Sequence, residues 1–164
     1  MDIFWEELTA GLPDKAQIAR VIIRLIAAMA LGAVIGIQRE QVGKPAGLRT
    51  HMLVAMGSAL FILVCSAAEM SLSDLSRVIQ GLATGIGFIG AGAILKLSEK
   101  QEIQGLTAAA GIWMTAAVGV AVGLGRLGLA VLGVFLTWIV LAVIGYIQYR
   151  IDKNRVTKDG KTSN

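Results

Sequence analysis

The residues best suited to chemistry lie in one short polar stretch between two apolar runs and at the start of a later run. They are Arg39, Glu40, Arg49, Thr50 and His51 in the stretch, and Thr107 at the later position. One interpretation is that Arg39 and Arg49 anchor helix ends to anionic lipid and Glu40 balances them. The other is that Glu40 and Arg49 form a polar cluster with Thr107 at the inner mouth of a helix bundle. Thr50 and Thr107 also suit capping of the helices that follow them.

The nucleophile and base content of the chain is small. His51 is the only histidine and Cys65 the only cysteine. An unperturbed imidazole with a pKa of about 6.5 would sense cytosolic pH, although a structural role is the simpler interpretation of His51. Neither a Ser-His-Asp nor a Cys-His arrangement is expected, and Cys65 has no CxxC partner for a metal. We therefore expect no enzyme activity, no catalytic residue, no metal site and no cofactor.

Arg24 lies inside the first apolar run, at a depth of roughly 12 Å. It either extends to the lipid headgroups or shares a carboxylate, such as Glu69 or Asp74, with Arg20.

The composition indicates that these residues sit on membrane helices. The chain is 55% hydrophobic and 16% charged, with a mean hydropathy of +0.72, whereas a soluble domain has roughly 25% charged residues. The net charge of +4 could suggest nucleic acid. The basic residues are dispersed between apolar blocks, however, so we interpret them as topology signals and expect no nucleic-acid binding.

Apolar windows of about 20 residues predict an all-α, polytopic bundle of five transmembrane helices. The predicted spans are 16–37, 51–68, 78–95, 106–125 and 127–149, with Gly123 and Gly125 permitting a tight hairpin between the last two. Residues 1–15 would form an extracytoplasmic segment, with a short interfacial helix within 2–12, and 150–164 a basic cytoplasmic tail. Most of the 15 Lys and Arg residues fall on the side of the tail, which predicts an external N-terminus.

Many of the 20 glycines lie within the predicted spans. Gly85, Gly87 and Gly90 match G-x-G-x-x-G, but a dinucleotide site needs a preceding strand and an aqueous phosphate pocket. Close helix packing is the favoured interpretation, since glycines let backbones approach. A helix break that lines a cavity is the alternative. The predicted packing positions are Gly32, Gly36, Gly81, Gly85, Gly87, Gly90, Gly92 and Gly105.

Three blocks in their order and spacing carry a family resemblance: Gly36 to Glu40 with Lys44 to His51, then Gly85 to Gly92, then Gly105 to Ala110 with Trp113. Over about residues 24–124 the chain resembles the MgtC/SapB family of bacterial inner-membrane proteins. The resemblance implies a helical inner-membrane domain linked to growth in low magnesium, and a modulator of membrane energetics or ion homeostasis. Because Mg²⁺ prefers hard oxygen ligands and Glu40, Glu99 and Glu102 all lie outside the apolar runs, direct magnesium transport ranks below regulation. Many members add a C-terminal soluble domain, whereas only residues 150–164 follow the spans here, so functions of that domain are not expected.

Three classes of function follow. The first is a multi-pass protein of the bacterial inner membrane, embedded in lipid as a homo-oligomer such as a dimer, that contacts another membrane complex such as an ATPase. The second is a small transporter or channel, with Arg24 or the inner polar residues in its path. The third and least favoured is an enzyme acting at the inner face.

Overall fold

A computed structural model of the chain describes residues 3, 15–97 and 102–144. The five helices are α1 (Lys15–Gln41), α2 (Leu48–Ala67), α3 (Leu72–Gly92), α4 (Leu106–Gly123) and α5 (Leu127–Ile139). The prediction of an all-α bundle with five helices is therefore confirmed. The predictions for residues 1–14, 145–149 and 150–164, and for Glu99, concern parts of the chain outside these ranges, except for Ile3.

Three of these helices, α1, α2 and α4, are long and apolar enough to cross a membrane. Helix α3 has 21 residues but includes Asp74 and Arg77 in its first two turns. The fifth apolar segment, 127–143, is shorter. Large apolar side chains nevertheless point outward, and Leu53, Phe61 and Leu129 are each more than 60% exposed. Such surfaces are typical of helices solvated by lipid. The orientation of the termini stays a prediction.

Some helices begin or end at residues other than those of the predicted spans, because local hydrogen bonds fix their ends. Helix α3 begins six residues earlier than the predicted 78, because Ser71 caps it. The Ser71 hydroxyl accepts a bond from the Asp74 N–H at 3.2 Å and donates to the Asp74 carboxylate at 2.6 Å. This is the helix start that a serine followed three residues later by an acid favours. The helix then runs unbroken to Gly92, so the alternative of a glycine-induced break before that residue is wrong.

A short hairpin that the sequence analysis did not predict separates α3 from α4. Strand β1 (Leu95–Leu97) pairs antiparallel with β2 (Glu102–Gln104), with Lys96 opposite Ile103. Gly105 then turns the chain into α4 with a φ of +96°, a conformation that favours glycine. The α4–α5 connection uses Gly125 in the same way, at a φ of +75°, and it is the predicted tight hairpin. Helix α5 continues into a π-helical turn, Val140–Ile144.

Helices α1, α2 and α4 form the centre of the bundle. Gly36 of α1 lies against Leu48 and Gly32 against His51, so α1 and α2 run antiparallel. Gly111 of α4 lies beside His51 and Gly123 beside Ile62, so α2 and α4 run in the same direction. We call the end where α1 begins and α4 ends the outer end, and the opposite end the inner end, after the predicted orientation.

The main core combines four helices. It consists of Ala28 and Ile35 from α1, Ala55 and Ala59 from α2, Val118 and Val122 from α4, and Ala130 and Val134 from α5. A second cluster, Ile86 with Ile112 and Ala116, joins α3 to α4. Half of the α4 apolar window is buried, against 17% for α1. Helix α4 is therefore the element around which the others pack.

The closest backbone contact in the α1–α2 pair yields a first prediction. A Cβ added at Gly32 would lie 2.5 Å from the His51 carbonyl oxygen, whereas one added at Gly87 would meet no atom within 4 Å. We expect Gly32→Ala to lower the free energy of unfolding by about 1–3 kcal/mol, because α1 must move away from α2. The matched Gly87→Ala should be neutral or raise it by about 0.5–1 kcal/mol, through helix propensity alone. Thermal unfolding in detergent compares the two, and equal effects would contradict the backbone contact.

Candidate functional site

Two neighbouring residues at the end of α1 fix the connection to α2. The Arg39 guanidinium donates a hydrogen bond to the Pro45 carbonyl at 3.2 Å. The Glu40 carboxylate accepts one from the Leu48 N–H at 2.8 Å, eight positions along the chain. Leu48 is the first residue of α2, whose N-cap Gly47 has no side chain to offer. Glu40 therefore satisfies a backbone donor at the start of α2, where its negative charge also suits the helix dipole.

The centre of the site is a hydrogen bond between His51 on α2 and Thr115 on α4. The imidazole Nδ1 and the Thr115 hydroxyl oxygen are 2.7 Å apart, and both residues are fully buried. The same hydroxyl lies 2.8 Å from the Gly111 carbonyl oxygen, to which it can also donate. Whether Nδ1 or Nε2 of the neutral ring carries the proton depends on the tautomer. The bond therefore joins α2 to α4 with either atom of the pair as the donor.

Gly111 lies beside the imidazole. A Cβ at this position would lie 3.4 Å from the ring Cε1 atom, which is van der Waals contact without a clash. The carbonyl oxygen of His51 itself lies against Gly32 of α1. His51 thus touches α1 through its backbone and α4 through its side chain, so the polar pair sits where three helices meet.

Three buried polar atoms in this inner region have no hydrogen-bond partner among the described residues. They are the Gln38 carbonyl oxygen Oε1, the Arg39 Nε and the His51 Nε2. An unpartnered polar atom away from water costs on the order of 1–3 kcal/mol. The Arg39 Nε is a donor and the Gln38 oxygen an acceptor, so each could take a small hydrogen-bonding group.

The structure does not assemble the predicted cluster of Glu40, Arg49 and Thr107. Glu40 uses its carboxylate on the Leu48 N–H, and the Arg49 and Thr107 side chains are exposed. Thr50 and Thr107 lie within the first turns of α2 and α4, and the N-cap positions are Gly47 and Gly105, so the predicted caps are wrong. The residue that pairs with His51 is Thr115, which the sequence analysis missed. The sequence feature that could have pointed to Thr115 is the presence of a polar hydroxyl within the apolar run of α4.

Arg24 has a partner other than the predicted carboxylates. Its Nη1 donates to the Gly123 carbonyl at 3.0 Å, in the last turn of α4. Its guanidinium also lies against Gly125, where an added Cβ would be 2.6 Å from Nη2. A cation at a helix C-terminus satisfies a free carbonyl and complements the helix dipole. Asp74, one of the predicted partners, instead accepts from Ser71.

Comparison with known proteins places this arrangement in a family. The model of the MgtC family matches residues 25–150, which include α1 from Leu25 onward and all of α2 to α5. The chain belongs to the MgtC family. The prediction made from the three sequence blocks is thereby confirmed.

Several MgtC-family proteins are similar to this chain. Protein SrpB of Synechococcus elongatus is 48% identical over 136 residues, which are 76% of this chain and 75% of SrpB. YhiD of Escherichia coli K12, named as a candidate magnesium transporter, is 48% identical over 81% of this chain and 64% of its own length. Protein MgtC of Salmonella choleraesuis is 37% identical over 85% of this chain and 59% of its own length. The chain thus spans less than two thirds of YhiD and of MgtC. No solved structure matches.

The donor set of this MgtC-family chain bears on metal binding. Within residues 15–97 and 102–144, no group of three or more His, Cys, Asp or Glu side chains could hold a metal ion. A shallow cleft of about 250 Å³ at the inner end is lined by Ile37, Glu40, Gln41 and Leu48. Its one carboxylate is already bonded to the Leu48 N–H. A resident Mg²⁺ usually takes one or two carboxylates with retained water, so the cleft does not fit as a dedicated metal site.

The His51–Thr115 bond generates the second prediction. Thr115→Val keeps the shape of the side chain but removes the hydrogen-bond partner of the imidazole Nδ1. We expect a loss of about 1–3 kcal/mol in the free energy of unfolding, because a buried polar atom becomes unpaired. Thr84→Val is the matched control: Thr84 also bonds the carbonyl four residues earlier, at Gln80, but is exposed. Thermal unfolding in detergent is the measurement. Equal losses for the two variants would show that the bond to His51 contributes nothing.

Proposed function

We propose that this chain modulates membrane energetics or ion homeostasis, magnesium above all, through helix contacts with another membrane protein. The similarity to YhiD, which is named as a candidate magnesium transporter, supports the link to magnesium. The proposal places the chain in the bacterial inner membrane as a multi-pass homo-oligomer, with its N-terminus outside and its C-terminus in the cytoplasm. It assigns no reaction to the chain.

The outward face of α3 is the observation that carries this proposal. Of its 21 residues, only Ile86 and Gly90 are buried, and Gly90 lies against Ala109 of α4. Gly81, Gly85 and Gly92 have no atom within 4 Å of an added Cβ, and Phe88 between them is 84% exposed. The spacing of 81, 85, 88 and 92 puts these residues on one stripe. We call it the α3 outer stripe, where outer means facing away from the bundle and does not refer to the outer end.

Glycine in this stripe has a cost that the chain itself does not offset. Each glycine in a helix interior is less favourable than alanine by about 0.5–1 kcal/mol. At Gly32 and Gly123 of the bundle, that cost is offset by close backbone contact, whereas the outer-stripe glycines make none within the chain. Small residues on a membrane helix allow a second helix to approach closely. The proposed partner is therefore a transmembrane helix of another protein, such as an ATPase.

The buried polar residues favour modulation over direct magnesium transport. Among the described residues they are Arg39, His51, Ser58 and Thr115, and none is a carboxylate. A divalent cation crossing the bundle would meet a guanidinium rather than acidic oxygen ligands. The second candidate function is a small transporter or channel for an ion or small solute, formed by a homodimer. The three buried unpartnered atoms at Gln38, Arg39 and His51 favour it.

The third prediction tests the α3 outer stripe. Gly85→Leu fills the stripe without an internal clash and should abolish co-purification of a membrane complex from mild-detergent extracts of native membranes. Gly57→Leu is the matched control, because Gly57 lies midway along α2 and likewise has no atom within 4 Å. Gly90→Leu is unsuitable, since it would strike Ala109. Retention of the complex by Gly85→Leu, or its loss from both variants, would refute contact through this stripe. Loss of self-association alone would identify the occupant as a second copy.

The fourth prediction separates the two candidate functions. The purified chain in liposomes should move neither Mg²⁺ nor protons above the rate of empty liposomes. Glu40→Ala, which removes the carboxylate nearest the inner cleft, should therefore change nothing. Flux by the wild type that Glu40→Ala abolishes would overturn the modulator proposal and establish the transporter. Circular dichroism and size exclusion of both proteins provide the control for folding.

A further inference from the structure

Three arginines gather at the outer end of the bundle, away from the inner polar region. Arg24 is fixed by its bond to the Gly123 carbonyl and lies against Gly125. Arg126 follows Gly125 directly in the chain and is exposed. Arg20 is one turn before Arg24 on α1 and is also exposed. Two elements, α1 and the α4–α5 turn, thus bring three positive charges to one corner.

The surroundings of this corner show which ligand it suits. Helix α4 ends at Gly123 and α5 begins at Leu127, so the corner lies at the level where the apolar helices stop. The adjoining surface is apolar: Ile23 on α1 is 59% exposed and Leu129 on α5 is 64% exposed. A ligand placed here would have a negative group beside the guanidinium groups and hydrocarbon along the helices.

Among the described residues, the carboxylates at the same end are Asp74 and Glu69. Asp74 belongs to the start of α3 and is bonded to Ser71. Glu69 is exposed beyond the end of α2. The Arg24 residue is only partly buried, and its Nη1 bond to Gly123 uses one of the five guanidinium N–H groups. Because one N–H is held by Gly123, the group is already oriented before a ligand arrives, which lowers the entropic cost of binding.

We propose that Arg20, Arg24 and Arg126 form a binding site for the phosphate group of an anionic phospholipid. Guanidinium groups pair with phosphate oxygens through parallel N–H bonds, and the exposed isoleucine and leucine side chains hold the acyl chains. Basic pockets between membrane helices bind anionic headgroups in this way. The site is independent of the function proposed above, since it lies at the opposite end of the bundle from His51 and does not involve α3.

The test uses the full chain, delipidated in a neutral detergent, and titrates phosphatidylglycerol, phosphatidylcholine and inorganic phosphate while native mass spectra are recorded. Phosphatidylglycerol should bind in preference to the other two. The double variant Arg20→Gln/Arg126→Gln should bind it about thirtyfold more weakly, because each arginine near an anionic group contributes roughly a fivefold factor. Arg24 is left in place, since it also holds α4.

A matched control removes two charges elsewhere. Lys44→Gln/Arg77→Gln alters two exposed residues, one at the inner end and one on α3, and should leave phosphatidylglycerol affinity unchanged. Equal weakening in both double variants would show that only overall charge matters and would overturn the proposal. Equal affinity for phosphatidylglycerol and phosphatidylcholine would also overturn it. Equal affinity for inorganic phosphate would show that the ligand is a free anion and not a lipid. If the glutamine variant does not fold, Arg20→Lys/Arg126→Lys keeps the charge, and loss of the phosphatidylglycerol preference on raising salt serves as the test in the wild type.

Discussion

The structure depends on backbone contact at four glycines, two on each side of α2. A Cβ added at Gly32 or Gly36 would lie 2.5 or 2.6 Å from backbone atoms of α2. One added at Gly123 would lie 2.9 Å from the Ala59 carbonyl oxygen. Gly119 lies equally tightly against the Ala55 carbonyl. In lipid, apolar side chains gain little by leaving solvent, so helix association relies on such close packing. Helix α2 is thereby held between α1 and α4, and every other feature of the bundle follows from that arrangement.

The same close contact decides where polar groups can reside. With α1, α2 and α4 packed together, His51 is enclosed and Thr115 becomes its partner. The two arginines at the opposite ends, Arg24 and Arg39, both bond backbone carbonyls, at Gly123 and Pro45. Carbonyl dipoles therefore stabilise these cations where the sequence suggested carboxylates. Each of these two arginines thus places a positive charge near one end of the bundle.

Sequence reasoning recovered the helices but not most of the contacts within the site. Apolar windows of membrane length predict five helices because hydropathy is a property of each segment alone. Helix starts were less accurate, although the start of α3 carried a legible signal in Ser71 and Asp74. Which side chains meet between helices depends on how each helix is rotated about its own axis and on its depth in the membrane. Neither composition nor spacing defines these two quantities. Thr107 was therefore chosen for the polar cluster over Thr115, two turns further along α4, and Arg24 was assigned carboxylates because a carbonyl acceptor leaves no mark in the sequence.

Glycine illustrates the same limit and also bears on function. One residue type serves three purposes here: close contact at Gly32, left-handed turns at Gly105 and Gly125, and an open surface at Gly81 and Gly85. The sequence pattern is alike in the first and third cases, yet only the first has a partner within the chain. The polar centre at His51 is built by α1, α2 and α4, while α3 joins the bundle mainly through Ile86 and its contacts with α4. A helix bound to the open face of α3 would therefore affect α4 first. Thr115 of α4 makes the only hydrogen bond between His51 and another helix among the described residues, so that bond would be affected next.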